Sequence, residues 1–370
     1  MHAGLKLRVF IEDHPRSAAA VFLGLAALLP WLPFGGATNY VLRVSTLTLL
    51  YMTLAIGLNF VPGFTGLLDL GFVGFYGVGA YTAGLLMVQY NVSFWVALPV
   101  AAMHSALWGV LRAAPTLRLT GDYFAIVTFG FSELVVLVIR NELWLTRGPM
   151  GIPGIEAPTL FGYALNHDWE YFYLMLILLF AAVVVSRRLE NSRLGRAWFA
   201  IREDEIAAEA SGIHIARYKT AAFAVSAAIG GAAGAFYAGW FHFLHPDMFK
   251  FWESILILCL VVLGGMGSIT GVMLGAAILI PLTEVLRAGL GQVVEWTSRT
   301  GVDWISPDIV NARYLIFGLL LVIMMRFRPA GLFPTVGVTM EMHPACERTR
   351  RQLDENRYGQ ESRDDRHSLD

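Results

Sequence analysis

One charged island constrains this chain more than any other feature. Residues 187–219 read RRLENSRLGRAWFAIREDEIAAEASGIHIARYK and carry seven of the 27 Lys and Arg residues. Apolar stretches long enough to cross a bilayer flank the island on both sides, so it must lie at one membrane face. Basic loops favour the cytoplasmic side. From Arg196 to Ser211 the island can form a short helix, with Gly195 before it and Gly212 as the C-terminal breaker. Acidic residues (Glu203, Asp204, Glu205, Glu209) alternate there with small ones (Ala200, Ala207, Ala208, Ala210). A small-residue surface ringed by charge suits docking into a groove on another protein. An ordinary solvated loop helix has the same composition.

The rest of the chain explains why the island stands out. It is 56% apolar and only 15% charged, with a mean hydropathy of +0.58. Soluble domains carry about 25% charged residues, so this is a polytopic membrane protein with an all-α fold. A helix needs about 20 apolar residues to cross. Ten stretches qualify: about 18–36, 41–60, 67–90, 93–111, 122–140, 171–186, 218–241, 253–269, 271–289 and 311–326. The short 253–269 and the Gly-rich 67–90 are the candidates for re-entrant or broken helices, so eight to ten spans are expected. With both termini inside, cytoplasmic segments hold 20 of the Lys and Arg residues and outer segments seven.

The expected layout is a cytoplasmic N-terminus (1–17), a transmembrane domain (18–335) with its cytoplasmic loop (187–217), and a disordered cytoplasmic tail (336–370). Residues 341–370 hold 14 charged residues and almost nothing apolar, which cannot build a core. The first apolar run has some signal-peptide character, but Glu12, Asp13, Pro15 and Arg16 interrupt it, so it reads as a retained span. Cys259 and Cys346 fall in different compartments, so no disulfide framework is implied.

Little here suits catalysis. The nine histidines are scattered, and no Cys/His cluster of zinc spacing or nucleophile elbow occurs. His242 and His245 have ligand-like spacing, but they sit at a span end where histidines are common. The three lysines (Lys6, Lys219, Lys250) follow no Gly-x-x-x-x-Gly, so there is no P-loop. If ATP drives this protein, another polypeptide binds it; no cofactor, metal or nucleic acid is expected on this chain.

Glycine and polar residues inside spans mark the candidate path. Gly74, Gly77 and Gly79 crowd the third span, and Gly265, Gly267, Gly271 and Gly275 a later one. Small residues allow close helix packing, and they also allow the unwound helices that line transport paths. Glu133 lies inside a span, where a carboxylate costs about 2.5–3.5 kcal/mol. It is expected to face the bundle interior or a water-filled path, or to make a structural hydrogen bond. Asp69 is expected to reach the interface. Asn59, Tyr76, Tyr81 and Thr128 join Glu133, Gly74, Gly265 and Gly267 as path candidates.

Several segments resemble one family. GLNFVPGFTGLLDLGFVGFYGVGAYTAGLL (57–86), LRLTGDYFAIVTFGFSELV (117–135), LTRGPMGI (145–152), LGRAWFAIREDEIAAEASGI (194–213), VVLGGMGSITGVMLGAAIL (261–279) and FRPAGLFP (327–334) look like the inner-membrane permeases of branched-chain amino acid ABC importers, of the LivM type. The similarity runs from about residue 40 to 335. It implies a homologous second permease, one or two ATP-binding subunits that use the ATP, and an extracytoplasmic substrate-binding protein. It makes the island a coupling helix with an EAA-type motif, to which Glu205, Ala207, Ala208 and Gly212 are the nearest match, flanked by Arg196, Glu203 and Asp204. Here Ile206 separates the acid from the alanines, and the glycine falls seven positions after Glu205 instead of six. The outer loops 141–170 and 290–310 are the expected docking places for the binding protein. The implied substrate is a zwitterion with an apolar side chain; related permeases carry urea, short amides or other amino acids. A solitary secondary transporter, with Glu133 coupling protons, is the competing reading.

Overall fold

The chain is described by a computed structural model over residues 38–117, 119, 121–160 and 162–300, with isolated positions at 24, 29–31, 318, 319, 322 and 326. The expected first and last spans and the charged tail lie largely outside the described residues.

Among the described residues seven helices are long and apolar enough to cross a membrane: α1 (Thr38–Asn59), α2 (Phe72–Tyr90), α3 (Phe94–Thr116), α4 (Asp122–Asn141), α6 (Asp168–Glu190), α9 (Ile215–Phe241) and the first part of α11 (Ile269–Thr300). Between them lie the short α5 (Leu143–Thr146), the island helices α7 (Arg193–Glu203) and α8 (Glu205–Ala210), and α10 (Phe251–Gly264). The fold is all-α and multi-pass. Hydroxyls inside the spans are satisfied by their own helices: Thr46, Thr53, Thr82 and Thr116 each donate to the carbonyl four residues back.

Two stretches depart from whole spans. The stretch 253–269 is not one helix. Its helical part, α10, has 14 residues, about 21 Å at 1.5 Å per residue, against roughly 30 Å of hydrocarbon. Gly265 (φ 112°) and Gly267 (φ 86°) turn the chain directly into α11. The expected span 67–90 is helical only from Phe72, and Phe60–Thr65 form a buried turn after α1. Irregular backbone survives at membrane depth where protein covers it.

Helix α9 is the hub, packed along α2 and α3 and touching α1. Glycine sets these distances. A Cβ on Gly79 would strike the Gly231 backbone, one on Gly234 the α2 backbone, and one on Gly109 the carbonyl of Phe223. Gly264 of α10 meets Gly271 and Gly275 of α11 in the same way. Close packing accounts for these positions.

The face of the bundle opposite the island is tied by short elements. β1 (Ile152–Pro153) pairs antiparallel with β4 (Phe243–Leu244), pinning the 142–167 loop to the end of α9; β2 (Thr159–Leu160) pairs with β3 (Tyr163–Ala164). Glu170 caps α6 by accepting from the Asn166 and His167 amides. Arg43 pairs with Asp168, and Arg140 with Asp247, on this face.

Candidate functional site

The island folds as two helices rather than the single helix expected over 196–211. The break is Asp204. Its backbone is extended (φ −158°, ψ 113°), and its carboxylate accepts from the Ile206 and Ala207 amides at 2.8 and 3.1 Å. Asp is a strong N-cap, so it ends α7 and starts α8. Ser192 caps α7 by accepting from the Leu194 and Gly195 amides. Gly212 closes α8 as expected. At φ +83° it occupies the left-handed region; its amide bonds Glu209, and the Ile213 amide reaches back to Ala208. That pair of bonds is a Schellman motif.

Helix α7 lies across the ends of the spans on the island's side of the bundle and is bolted to them. Trp198 is fully buried and donates from its indole to the Tyr218 carbonyl at 2.7 Å. Its ring stacks on Phe64 and meets Phe60 edge-on. Arg202 donates to the Gly63 carbonyl at 2.6 Å in the turn between α1 and α2. Helix α8 is held by Glu205, whose carboxylate takes the Lys219 ammonium at 2.6 Å; the lysine side chain is only 5% exposed at the foot of α9.

These contacts redistribute the expected coupling residues. Asp204, Glu205 and Gly212 shape and fasten α8, and Arg196 donates to the Asn191 carbonyl. Ala208 is 4% exposed and faces this chain, not outward. Ala207, Glu209 and Ala210 face out, and among them stands Ile206, 81% exposed. In the sequence Ile206 stood out only as the residue that separates the acid from the alanines; a lone large apolar side chain in an acidic, small-residue run was the signal for an outward contact. Glu203 is exposed beside Arg202, and both line a cleft of about 600 Å³ with Pro62, Gly66, Leu68 and Met266.

Most of the candidate path residues lie in packing positions. The Asn59 Oδ1 accepts from the Gly267 amide at 2.9 Å, joining the end of α1 to the α10–α11 turn that Gly265 begins. The Thr128 hydroxyl accepts from the Leu70 amide and donates to the Ala125 carbonyl. Gly74 packs on Phe131 and Ser132. Tyr76 and Tyr81 are buried against Phe249. None of these residues lines the cleft described above or a second, of about 530 Å³, between α3 and α4. Glu133 does not face the interior of this chain. The inward face of α4 is Phe124, Ala125, Thr128, Ser132, Val136 and Ile139, which leaves Glu133 on the exposed side.

Asp69 is also corrected. It is buried, not interfacial, and it forms a two-pronged ion pair with Arg112 at 2.9 and 2.5 Å, with side chains 0% and 2% exposed. Asp69 also accepts from the Gly71 amide, and the guanidinium is flanked by Phe75, Phe131 and Phe223 at 4.3–5.4 Å. The pair locks the α1–α2 connection onto α3.

The spaced histidines have structural partners. His242 bridges the Ile155 carbonyl and the Tyr171 hydroxyl, and His245 accepts from the Asp247 amide. Among the described residues no group of three metal-type side chains occurs.

Residues 40–325 match the family described as the branched-chain amino acid transport system permease component. The chain is 39% identical over 335 residues to the high-affinity branched-chain amino acid transport system permease protein LivM of Escherichia coli (strain K12), covering 84% of this chain and 73% of that one. It is 24% identical over 322 residues to a probable LivM permease of Methanocaldococcus jannaschii, covering 77% and 90%. It is 26% identical over 262 residues to the LivH permease of Salmonella typhimurium, covering 63% and 80%. No solved structure matches the chain.

Proposed function

The chain belongs to the permease family of branched-chain amino acid transport systems, and from that premise we propose that it is one of two membrane-spanning subunits of an ATP-driven importer. Its substrate is a branched-chain, hydrophobic amino acid. Its partners are a homologous second permease, one or two ATP-binding subunits that use the ATP, and an extracytoplasmic binding protein. The membrane is the inner membrane, with both termini and the island in the cytoplasm.

The observation that carries this reading is the form of the island. Helix α8 presents Ile206, Ala207 and Ala210 outward while Glu205, Asp204 and Gly212 fix it from behind. A short, rigidly held helix with a small face and one apolar peg fits a groove on a soluble subunit. Closure of the ATPase pair would displace α8. The Glu205–Lys219 pair would carry that displacement to α9, and the α7 contacts would carry it to the α1–α2 turn.

The test is uptake in vesicles. The wild-type complex should accumulate a branched-chain amino acid only with ATPase subunits, binding protein and ATP present. Ile206→Asp, on an exposed position, should leave insertion intact and reduce ATPase copurification, with uptake falling at least tenfold. Uptake in vesicles lacking any ATPase subunit would overturn the importer reading and favour a solitary transporter.

A further inference from the structure

We propose that the α3–α4 face of this chain is where the second permease packs, with one of its spanning helices in the cleft between α3 and α4 and a basic or hydrogen-bond-donating side chain against Glu133. The proposal rests on the importer reading above and deepens it by assigning a surface.

Four observations meet on this face. First, α3 and α4 are the least covered of the spanning helices, with 28% and 33% of their windows buried, against 61–67% for α1, α2 and α9. Second, Glu133 stands on the exposed stripe of α4 with Ile126, Leu134, Leu137 and Val138, and no residue described in this chain pairs with it. It lies eleven residues into α4, about 16 Å from the helix start and so near mid-membrane. Third, Gly130 lies one turn before Glu133, and a Cβ there would meet nothing. Most glycines of the bundle meet a neighbouring helix, but this one, like Gly289 and Gly291 of α11, meets nothing among the described residues. Fourth, the cleft beside it is about 530 Å³, walled by Trp108, Leu111, Ile126, Phe131 and Leu134, with Arg112 at its floor. The Arg112 Nε is buried without a hydrogen-bond partner.

Charge and depth choose the occupant. A lipid tail fills an apolar cleft but leaves the Glu133 carboxylate unanswered. Lipid headgroups do not reach mid-membrane, and neither do soluble ATPases or a binding protein. A membrane-spanning polypeptide with polar side chains on one face answers that carboxylate, and Gly130 allows its backbone to come close.

The experiment uses the assembled complex. With Cys259→Ala and Cys346→Ser as background, single cysteines replace Gly130 and Leu134 on this face, and Ile177 and Phe180 on the exposed face of α6. Each carries a benzophenone maleimide and is irradiated. Adducts with the second permease are expected from positions 130 and 134 and not from 177 and 180. In parallel, Glu133→Leu should cut copurification of the second permease at least tenfold, because a donor across the interface loses its acceptor. If lipid covers this face, Glu133→Leu instead raises membrane yield and leaves copurification unchanged. That result, adducts from 177 and 180 alone, or adducts of 130 with a second copy of this chain would overturn the proposal. If no second permease copurifies with the unmodified chain, the importer reading itself has failed. If it copurifies but cross-links elsewhere, only the surface is wrong.

Discussion

Removing the charge of Asp69 should unfasten the island-side half of this bundle more than any other single change at that end. Asp69 and Arg112 are buried, bonded through both prongs, and cut off from water. Breaking a buried pair by deleting one partner costs about 3–5 kcal/mol, because the survivor is an uncompensated charge, whereas replacing both with packed apolar groups is near neutral. Asp69→Leu also strips the Gly71 amide of its acceptor, about 1–3 kcal/mol more. That second loss is common to Asp69→Leu and to the double variant Asp69→Leu/Arg112→Leu, so the difference between them isolates the stranded guanidinium. Rings of Phe75, Phe131 and Phe223 solvate the cation in part, which pulls the difference toward the lower bound of about 3 kcal/mol. At roughly 1–2 °C per kcal/mol for a chain of 370 residues, the double variant should melt at least about 3 °C above the Asp69→Leu single. Thermal melts of detergent-purified protein, read by size-exclusion fluorescence, measure it. Equal melting of single and double variants would refute the argument that an uncompensated buried charge governs this site.

Ala208→Trp should damage this chain's own folding and lower membrane yield, since the position faces inward; normal yield with selective loss of ATPase copurification would contradict that. Gly212→Val, at φ +83°, should strain the end of α8 by about 1–2 kcal/mol and reduce substrate-stimulated ATP hydrolysis while yield is kept. Asn59→Ala should leave the Gly267 amide without its acceptor, about 1–3 kcal/mol of stability, and should raise protease or thiol-probe access at the α10–α11 turn. At the face opposite the island, burial works to raise the Asp247 carboxyl, but Lys250, Arg140 and His245 hold it below its ordinary value of 3.8. A lowered folded value means the contribution is present above about pH 4 and is lost as pH falls further. Because these side chains are largely exposed, Asp247→Asn should cost about 1 kcal/mol at most at neutral pH, and nothing in strong acid.

Length and hydropathy were enough to find seven spans and the island between two of them, because both are local properties of the chain. Azimuth was not local. Glu133 was expected, from its cost in lipid, to face the bundle interior or a water-filled path or to make a structural hydrogen bond; the small and polar residues of α4, Ala125, Thr128 and Ser132, recur at three- and four-residue spacing on the side packed within this chain, which leaves Glu133 outward. That spacing was visible in the sequence and outweighs a single charge. The Asp69–Arg112 pair joins residues 43 positions apart, and nothing in either segment names the other. Asp204 could have been read as a cap, since it is a strong N-cap residue directly before an alanine-rich run, but acidic composition alone made it look like a surface position. Ala208 raised the same difficulty: it faces inward while its neighbour Ala207 faces outward, and the six residues of α8 carry too little periodicity to tell them apart.

The polar ties at the island end of the bundle argue for how this chain moves. Glu205–Lys219 joins α8 to α9, Arg202–Gly63 joins α7 to the α1–α2 turn, and Asn59–Gly267 joins that turn to α10 and α11. Asp69–Arg112 and Leu70–Thr128 extend the layer to α3 and α4. A push on α8 therefore reaches most of the described spans at once. Above that layer the helices are locked by glycine contacts, Gly79 on Gly231 and Gly264 on Gly275, and close-packed interiors transmit displacement instead of absorbing it. A body joined in this way is suited to rocking as a unit, not to parting along its own middle. A path that opens and closes is then best placed where this chain meets another, beside the face that carries Gly130 and Glu133, and the position-dependent cross-links from 130 and 134 test that placement directly.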